Sequence, residues 1–253
     1  MGKQTRILFY VAVVILTSAM TAAAQTSYQD LKKLELNSSE AMIPIPSGGA
    51  LQGKGLDSWM NGLGPGGEAG VVRGFSSTTR TDDQKFFTLG SLYSGLIVQT
   101  GSPSMYEAAK GIADFREALS QLRAPAGFFG YLSDLELMTK SRAATPAIAA
   151  RMAAAIQGFV SDFAHSHGDV AYLNYQAGQW VTTLALAARA HDAGALNLPA
   201  ANYFQEKFAA QHANAATLAV LKSLQDFAGK EKLGDADYVQ IEKLAEQLRD
   251  QLG

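Results

Sequence analysis

The chain has 253 residues, no cysteine and a formal charge of −2. Without cysteine there is no disulfide, no thiolate chemistry, no Fe–S cluster, no covalently attached haem and no cysteine-ligated zinc. Acidic and basic residues are interspersed and form no basic patch, so neither a nucleic-acid partner nor electrostatic attachment to an anionic membrane is expected.

The first residues read as an export signal. Lys3 and Arg6 precede an apolar run from Ile7 to Ala19, broken only by Thr17 and Ser18, and Ala22-Ala23-Ala24 forms a small-residue cleavage site before Gln25. The run is shorter than the roughly 20 residues a spanning helix needs. Residues 1–24 are therefore expected to be a signal peptide, with no transmembrane segment left after cleavage. The absence of a cysteine after the run argues against a lipid anchor, and the alanine-rich site has a bacterial look. These features place the mature protein in a periplasm or outside the cell. Losing Lys3 and Arg6 makes it more acidic still.

Residues 25–80 read as an irregular arm. Ten of the 24 glycines lie between Gly48 and Gly74, with Pro44, Pro46 and Pro65 as further breakers. Apolar residues stud this stretch, among them Ile45, Leu56, Trp59, Met60 and Phe75. A disordered linker would lack so many. The arm is expected to lie over the rest of the chain, insert single side chains, form one short helical turn near Leu56 to Asn61, and offer a contact for a partner. Two glycine patterns here imitate nucleotide sites. Gly48 to Lys54 has the spacing of a phosphate-binding loop, but Gly55 stands where Ser or Thr must hold magnesium, and Gly62 to Gly67 fits G-x-G-x-x-G. Neither has the strand before it and the helix after it that such a site requires, and no cofactor is expected.

Residues 81–253 read as helical throughout, and no segment has a convincing strand pattern. Thr81 or Asp82 caps a helix to about Thr100 that has no charge after Lys85. Ser102-Pro103 opens a second helix to about Arg123, with Met105, Ala108, Ile112, Phe115, Ala118, Leu119 and Leu122 facing inward. The short connection makes the two antiparallel. A third helix follows from Phe128 to about Lys140. Thr145-Pro146 opens a fourth, to about His165.

Val170 to Ala190 is the centre of the reading. It carries no charge before Arg189, with Asp169 as the expected N-cap. Leu173, Ala177, Trp180, Val181, Leu184 and Ala188 make one apolar face, and the opposite face is uncharged too. Asn174, Gln176, Gln179 and two threonines would be costly in lipid, so this helix is expected to be buried on all sides in a helical bundle. Pro199, Asn214 and Asp235 open three more helices. The last, with Val239, Ile241, Leu244 and Leu248 facing inward, is the most charged and is expected to be peripheral. An internal echo links the two uncharged helices: Phe87-x-x-Gly90 matches Tyr175-x-x-Gly178. Glycine inside a helix costs up to about 1 kcal/mol, and close approach of the two helices at Gly90 and Gly178 would explain both.

Site candidates follow from this layout. His165, His167 and Asp169 are the only cluster with metal-ligand chemistry, though each also has a role in a helix–helix turn, which is the better reading. Tyr93, Tyr175, Gln179 and Trp180 would line an interhelical pocket for an apolar or aromatic ligand, against the simpler reading of a core whose polar groups pair internally. No catalytic motif is present, and scattered carboxylates such as Asp134 and Glu136 would serve a hydrolase only if the fold assembled them. The expected architecture is all-α, a single-domain bundle or short array of antiparallel helical hairpins. The leading functional expectation is a non-enzymatic adaptor or accessory subunit with a protein partner in the cell envelope. A binder of a small apolar ligand is the alternative, and a hydrolase comes third.

Overall fold

The computed structural model describes residues 55–61 and 81–253; the leader and the rest of the arm, including Ile45 and Phe75, lie outside the described residues. Within them the chain is helical and contains no strand. The elements are α1 (Leu56–Asn61), α2 (Asp82–Thr100), α3 (Met105–Gln121), α4 (Ala126–Lys140), α5 (Pro146–Ala155) and α6 (Gln157–Ser166). After them come α7 (Asp169–Ala190), a 3-10 turn (Ala193–Ala195), α8 (Ala200–Ala210), α9 (Ala215–Ala228) and α10 (Asp235–Leu252).

The helices pack in a bundle-like arrangement around α2 and α7, which share the largest helix–helix contact. Both are buried nearly all round, α2 from Phe86 with Leu92 alone part-exposed, and α7 from Ala171 to Ala188 with only Tyr172 part-exposed. Their lack of charge is the cause, because an ion there would lose its hydration without a partner. The two run parallel. Phe86 near the start of α2 packs on His167, just before α7, with ring centroids 5.0 Å apart. Farther on, Ser94 Oγ donates to the Gln179 carbonyl at 3.2 Å. Beyond that point, Gly95 and Thr182 both meet α1.

Gly90 and Gly178 make the crossing possible. A Cβ on Gly90 would overlap the carbonyl oxygen of Tyr175, and one on Gly178 would overlap that of Phe87. The contact is reciprocal and uses the echoed residues, so the repeated motif marks where two backbones touch. Ser91 Oγ adds a bond to the Gly178 carbonyl at 3.2 Å.

One flank of this pair is α3 to α6. α3 folds back antiparallel on α2, with Tyr93 against Phe115 and Gly111 against Gln99. Its inward stripe is Ala108, Ile112, Phe115, Ala118 and Leu119. Each such Leu, Ile or Phe contributes about 1.5–3 kcal/mol relative to exposure. The other flank is α8 to α10. α10 lies antiparallel on α7, with Tyr238 beside His191 at one end and Glu246 beside Arg189 farther along. It is thus a principal neighbour of α7 rather than a peripheral helix. Its buried residues are Tyr238, Ile241, Leu244, Ala245 and Leu248, while Val239 faces outward.

Several helix starts shift by a residue or two. The N-cap of α3 is Ser104, whose hydroxyl accepts from Glu107 N, and Ser102 instead accepts from Ser104 N. Gly168, at φ 104°, precedes α7 and leaves Asp169 in the first turn. Gly234 precedes α10, where Asp237 Oδ2 accepts its N–H at 3.0 Å. The single helix expected after Pro146 is two, broken at Ile156. Its physical cause is a pair of tyrosines. Tyr131 Oη donates to the Met152 carbonyl at 2.8 Å, and Tyr93 Oη to the Ala153 and Ala154 carbonyls at 3.4 and 3.2 Å. Carbonyls that would continue the helix are satisfied from outside it.

Candidate functional site

Three places hold the residues with chemistry. The first lies where α2 crosses α7. Tyr175 and Gln179 are four residues apart on one face of α7, both buried, and the Tyr93 ring stands 6.3 Å from that of Tyr175. Tyr93 is satisfied by its bonds to α5. Among the described residues, Tyr175 Oη and Gln179 Nε2 have no partner at hydrogen-bond distance. Burial, with Tyr93 close by, pushes the Tyr175 phenol well above its ordinary range, and the nearby Gln179 side chain offsets only part of the rise. Burial likewise raises Tyr93, with Tyr131 adding to it. Both are neutral at physiological pH, so neither serves as a general base there.

Trp180 does not join this group. It stacks on Phe204 of α8 at 4.8 Å, and its Nε1 donates to the Asn197 carbonyl at 3.1 Å. Five residues along a helix turn it well away from Tyr175. Of the four residues expected to line one pocket, the fold gathers three. On the α8 side it extends the i,i+4 pair Tyr172 and Gln176 into a chain through a residue of α8: Tyr203 Oη donates to Gln176 Oε1, and Gln176 Nε2 donates to Tyr172 Oη, each at 3.0 Å.

The second place is the turn between α6 and α7. His165 Nε2 is 3.8 Å from Asp169 Oδ1, and its ring lies 4.4 Å from Tyr172. His167 instead has Nδ1 3.0 Å from the Phe163 carbonyl, and its ring packs on Phe163 and Phe86. The two imidazoles are engaged by different partners. Among the described residues, no three His, Asp or Glu side chains are grouped as metal ligands. As for carboxylates, Glu136 is paired with Arg116 at 2.9 Å and with Lys140. The Lys140 hydrogen bond outweighs burial and, with Arg116, holds it below the usual carboxylate range.

The third place surrounds α1. Leu56, Trp59 and Met60 were candidates for a partner contact, and the fold buries all three, with Trp59 fully enclosed. Trp59 Nε1 donates to Thr182 Oγ1 of α7 at 3.0 Å, and the Arg249 guanidinium of α10 lies 4.9 Å from its ring centre. Arg189 closes the site. Nη1 donates to the Gly55 carbonyl at 2.6 Å and to Ser58 Oγ at 3.2 Å, while Nε and Nη2 reach Glu242 and Glu246 of α10 at 2.6 and 3.2 Å. In the sequence, Arg189 has the look of a cation at a helix end. In the fold it joins three elements. No sequence signal distinguishes the two roles, because its partners lie 53 to 134 positions away.

Comparison with protein-family models, with curated proteins and with solved structures found no match.

Proposed function

We propose that this protein is an exported, non-enzymatic helical adaptor or accessory subunit that binds another protein in a bacterial cell envelope. The observation that carries the proposal is the distribution of large exposed apolar side chains. Met105, Tyr106, Leu137, Ile148, Phe159 and Val170 lie between the start of α3 and the start of α7; among the described residues, only Val239 lies elsewhere. Tyr106, at 77% exposure, and Leu137, at 67%, are the most exposed of them. Single exposed apolar residues are common, but most of the large ones among the described residues fall on helices of one flank, and such residues are what a protein-binding face is built from. The export signal read at residues 1–24 supplies the compartment.

A second reading, a binder of a small ligand between the central helices, is favoured by Tyr175 Oη and Gln179 Nε2, which are unpartnered among the described residues. Native mass spectrometry of the protein recovered from its own cell envelope separates the two. The adaptor reading expects a complex with a second, different polypeptide. A mass increment of a few hundred daltons on the chain alone would replace it with the ligand reading.

A further inference from the structure

From Leu137 to Ser161 the chain has no Asp or Glu, while Lys140, Arg142 and Arg151 stand within it. The three cations are spread along the sequence, and the hairpin of α4 and α5 brings them to one corner. Ser141 to Thr145 join the two helices, and Tyr131 of α4 is bonded to the Met152 carbonyl of α5 at 2.8 Å. The last turn of α4 and the first turn of α5 therefore meet at the same end of the hairpin. Leu137 stands on the first of these turns and Ile148 on the second, and both are exposed. Arg142, at φ 55°, and Arg151 are exposed too, and among the described residues neither has a carboxylate partner. Glu136 does not offset them, because Arg116 and Lys140 already share it. Even with Asp134 counted, a turn earlier on α4, cations outnumber carboxylates around this corner, in a chain where carboxylates are the majority.

We infer that the α4–α5 corner is the docking site for an acidic amphipathic segment of the envelope partner. Its apolar residues cover Leu137 and Ile148, and its carboxylates meet Arg142 and Arg151. This rests on the adaptor reading and adds the chemistry of the partner. Apolar side chains flanked by unpaired cations are complementary to apolar side chains flanked by anions. A guanidinium also holds a carboxylate by two parallel bonds, which fixes the orientation of the segment. A lipid surface fits less well. Lys140, Arg142 and Arg151, the first of them already paired, fall short of the roughly four to eight cations that mark lipid-binding segments.

The test uses the full chain and two fluorescent synthetic helical peptides. Both carry the same leucines on one face, with Glu at the flanking positions of one and Lys at those of the other. Anisotropy should show the Glu peptide binding about tenfold more tightly than the Lys peptide. Leu137→Ala should weaken the Glu peptide at least about threefold. Arg142→Asn with Arg151→Glu should remove the preference, and because both positions are exposed and Asn tolerates the left-handed backbone at 142, circular dichroism should not change. Equal binding of the two peptides, a preference that survives the double substitution, or indifference to Leu137→Ala would each overturn the site. Vesicles of phosphatidylglycerol bound by the unaltered chain and not by the double variant, with neither peptide bound, would overturn the choice of occupant in favour of a lipid surface. The probes are synthetic, so this result is separate from the adaptor reading. A second polypeptide seen by native mass spectrometry without the peptide preference removes only the corner, and the preference without a second polypeptide removes only the adaptor.

Discussion

Tyr93 and Tyr175 show how far one residue type can differ in what it does for a fold. Both are buried, 6.3 Å apart, and share a core. Tyr93 donates to the end of α5, whereas Tyr175 Oη has no partner at hydrogen-bond distance among the described residues. Opposite effects of losing the hydroxyl follow. Tyr93→Phe takes one donor away from two helix-end carbonyls and should lower stability by about 1 kcal/mol. Tyr175→Phe removes a group that water satisfies only in the unfolded chain, and should raise stability by about 1 kcal/mol. Urea midpoints of the two variants would check this, and shifts of the same sign would refute it. The pH dependence follows the same pair. Burial raises both phenols above the unfolded value of about 10. Their contribution is therefore fully present below about pH 10 and is lost as pH rises further, because only the unfolded chain then ionises. The loss is at most about 1.4 kcal/mol per pH unit for each tyrosine. Tyr175→Phe should make the alkaline decline shallower, as measured by urea titrations from pH 8 to 11. The expectation that Tyr93, Tyr175, Gln179 and Trp180 share one pocket was partly legible: helix spacing places Tyr175 with Gln179, but which neighbour Trp180 meets depends on α8, which no local pattern reveals.

The uncharged stretch from Val170 to Ala188 makes a helix in the centre of a bundle the only inexpensive solution, and α7 is that helix. The crossing with α2 is equally local in origin, since two glycines in matching motifs have a use only if backbones meet there. Gly90→Ala and Gly178→Ala test it. By helix propensity alone each would gain up to about 1 kcal/mol. Each new methyl would instead overlap a backbone carbonyl, which cannot swing aside as a side chain can. The expected outcome is a net loss of about 1–3 kcal/mol for either variant, read from denaturant midpoints. A gain would show that the helices do not touch at these residues. Helix ends were harder to read. α3, α4, α7 and α8 are followed by left-handed residues at Arg123, Arg142, His191 and His212 rather than by glycine. The break at Ile156 arises from hydroxyls of distant tyrosines. Neither device leaves a local signature. The sequence pattern of α10 alone puts Val239 inward, but Tyr238 takes that place and stacks on His191 at 4.6 Å.

At the scale of the molecule, the described part of the N-terminal arm forms the short helical turn expected at Leu56–Asn61 and inserts its apolar side chains. Its apolar residues were expected to insert into the bundle and also to meet a partner. Leu56, Trp59 and Met60 insert so completely that the segment meets three helices: Leu56 and Met60 lie by Gly95 of α2, and Trp59 meets Thr182 of α7 and Arg249 of α10. Deleting the arm would thus remove part of the core, and lost partner capture by such a deletion would say little about contact. The surface that remains free is on the other flank, where α3 to α6 leave Tyr106, Leu137 and Phe159 in solvent. Sequence periodicity identifies which residues are apolar but not which lack a neighbour, so this asymmetry emerges only from the packed chain. It also sets the most direct test of the adaptor reading. A photo-crosslinking amino acid placed at Leu137, at Phe159 and, as a control, at Val239 of the full chain would be activated in the living source organism. The adaptor reading predicts that Leu137 and Phe159 cross-link to the same second polypeptide and that Val239 does not. No cross-link from either position, or equal cross-linking from all three, would contradict it.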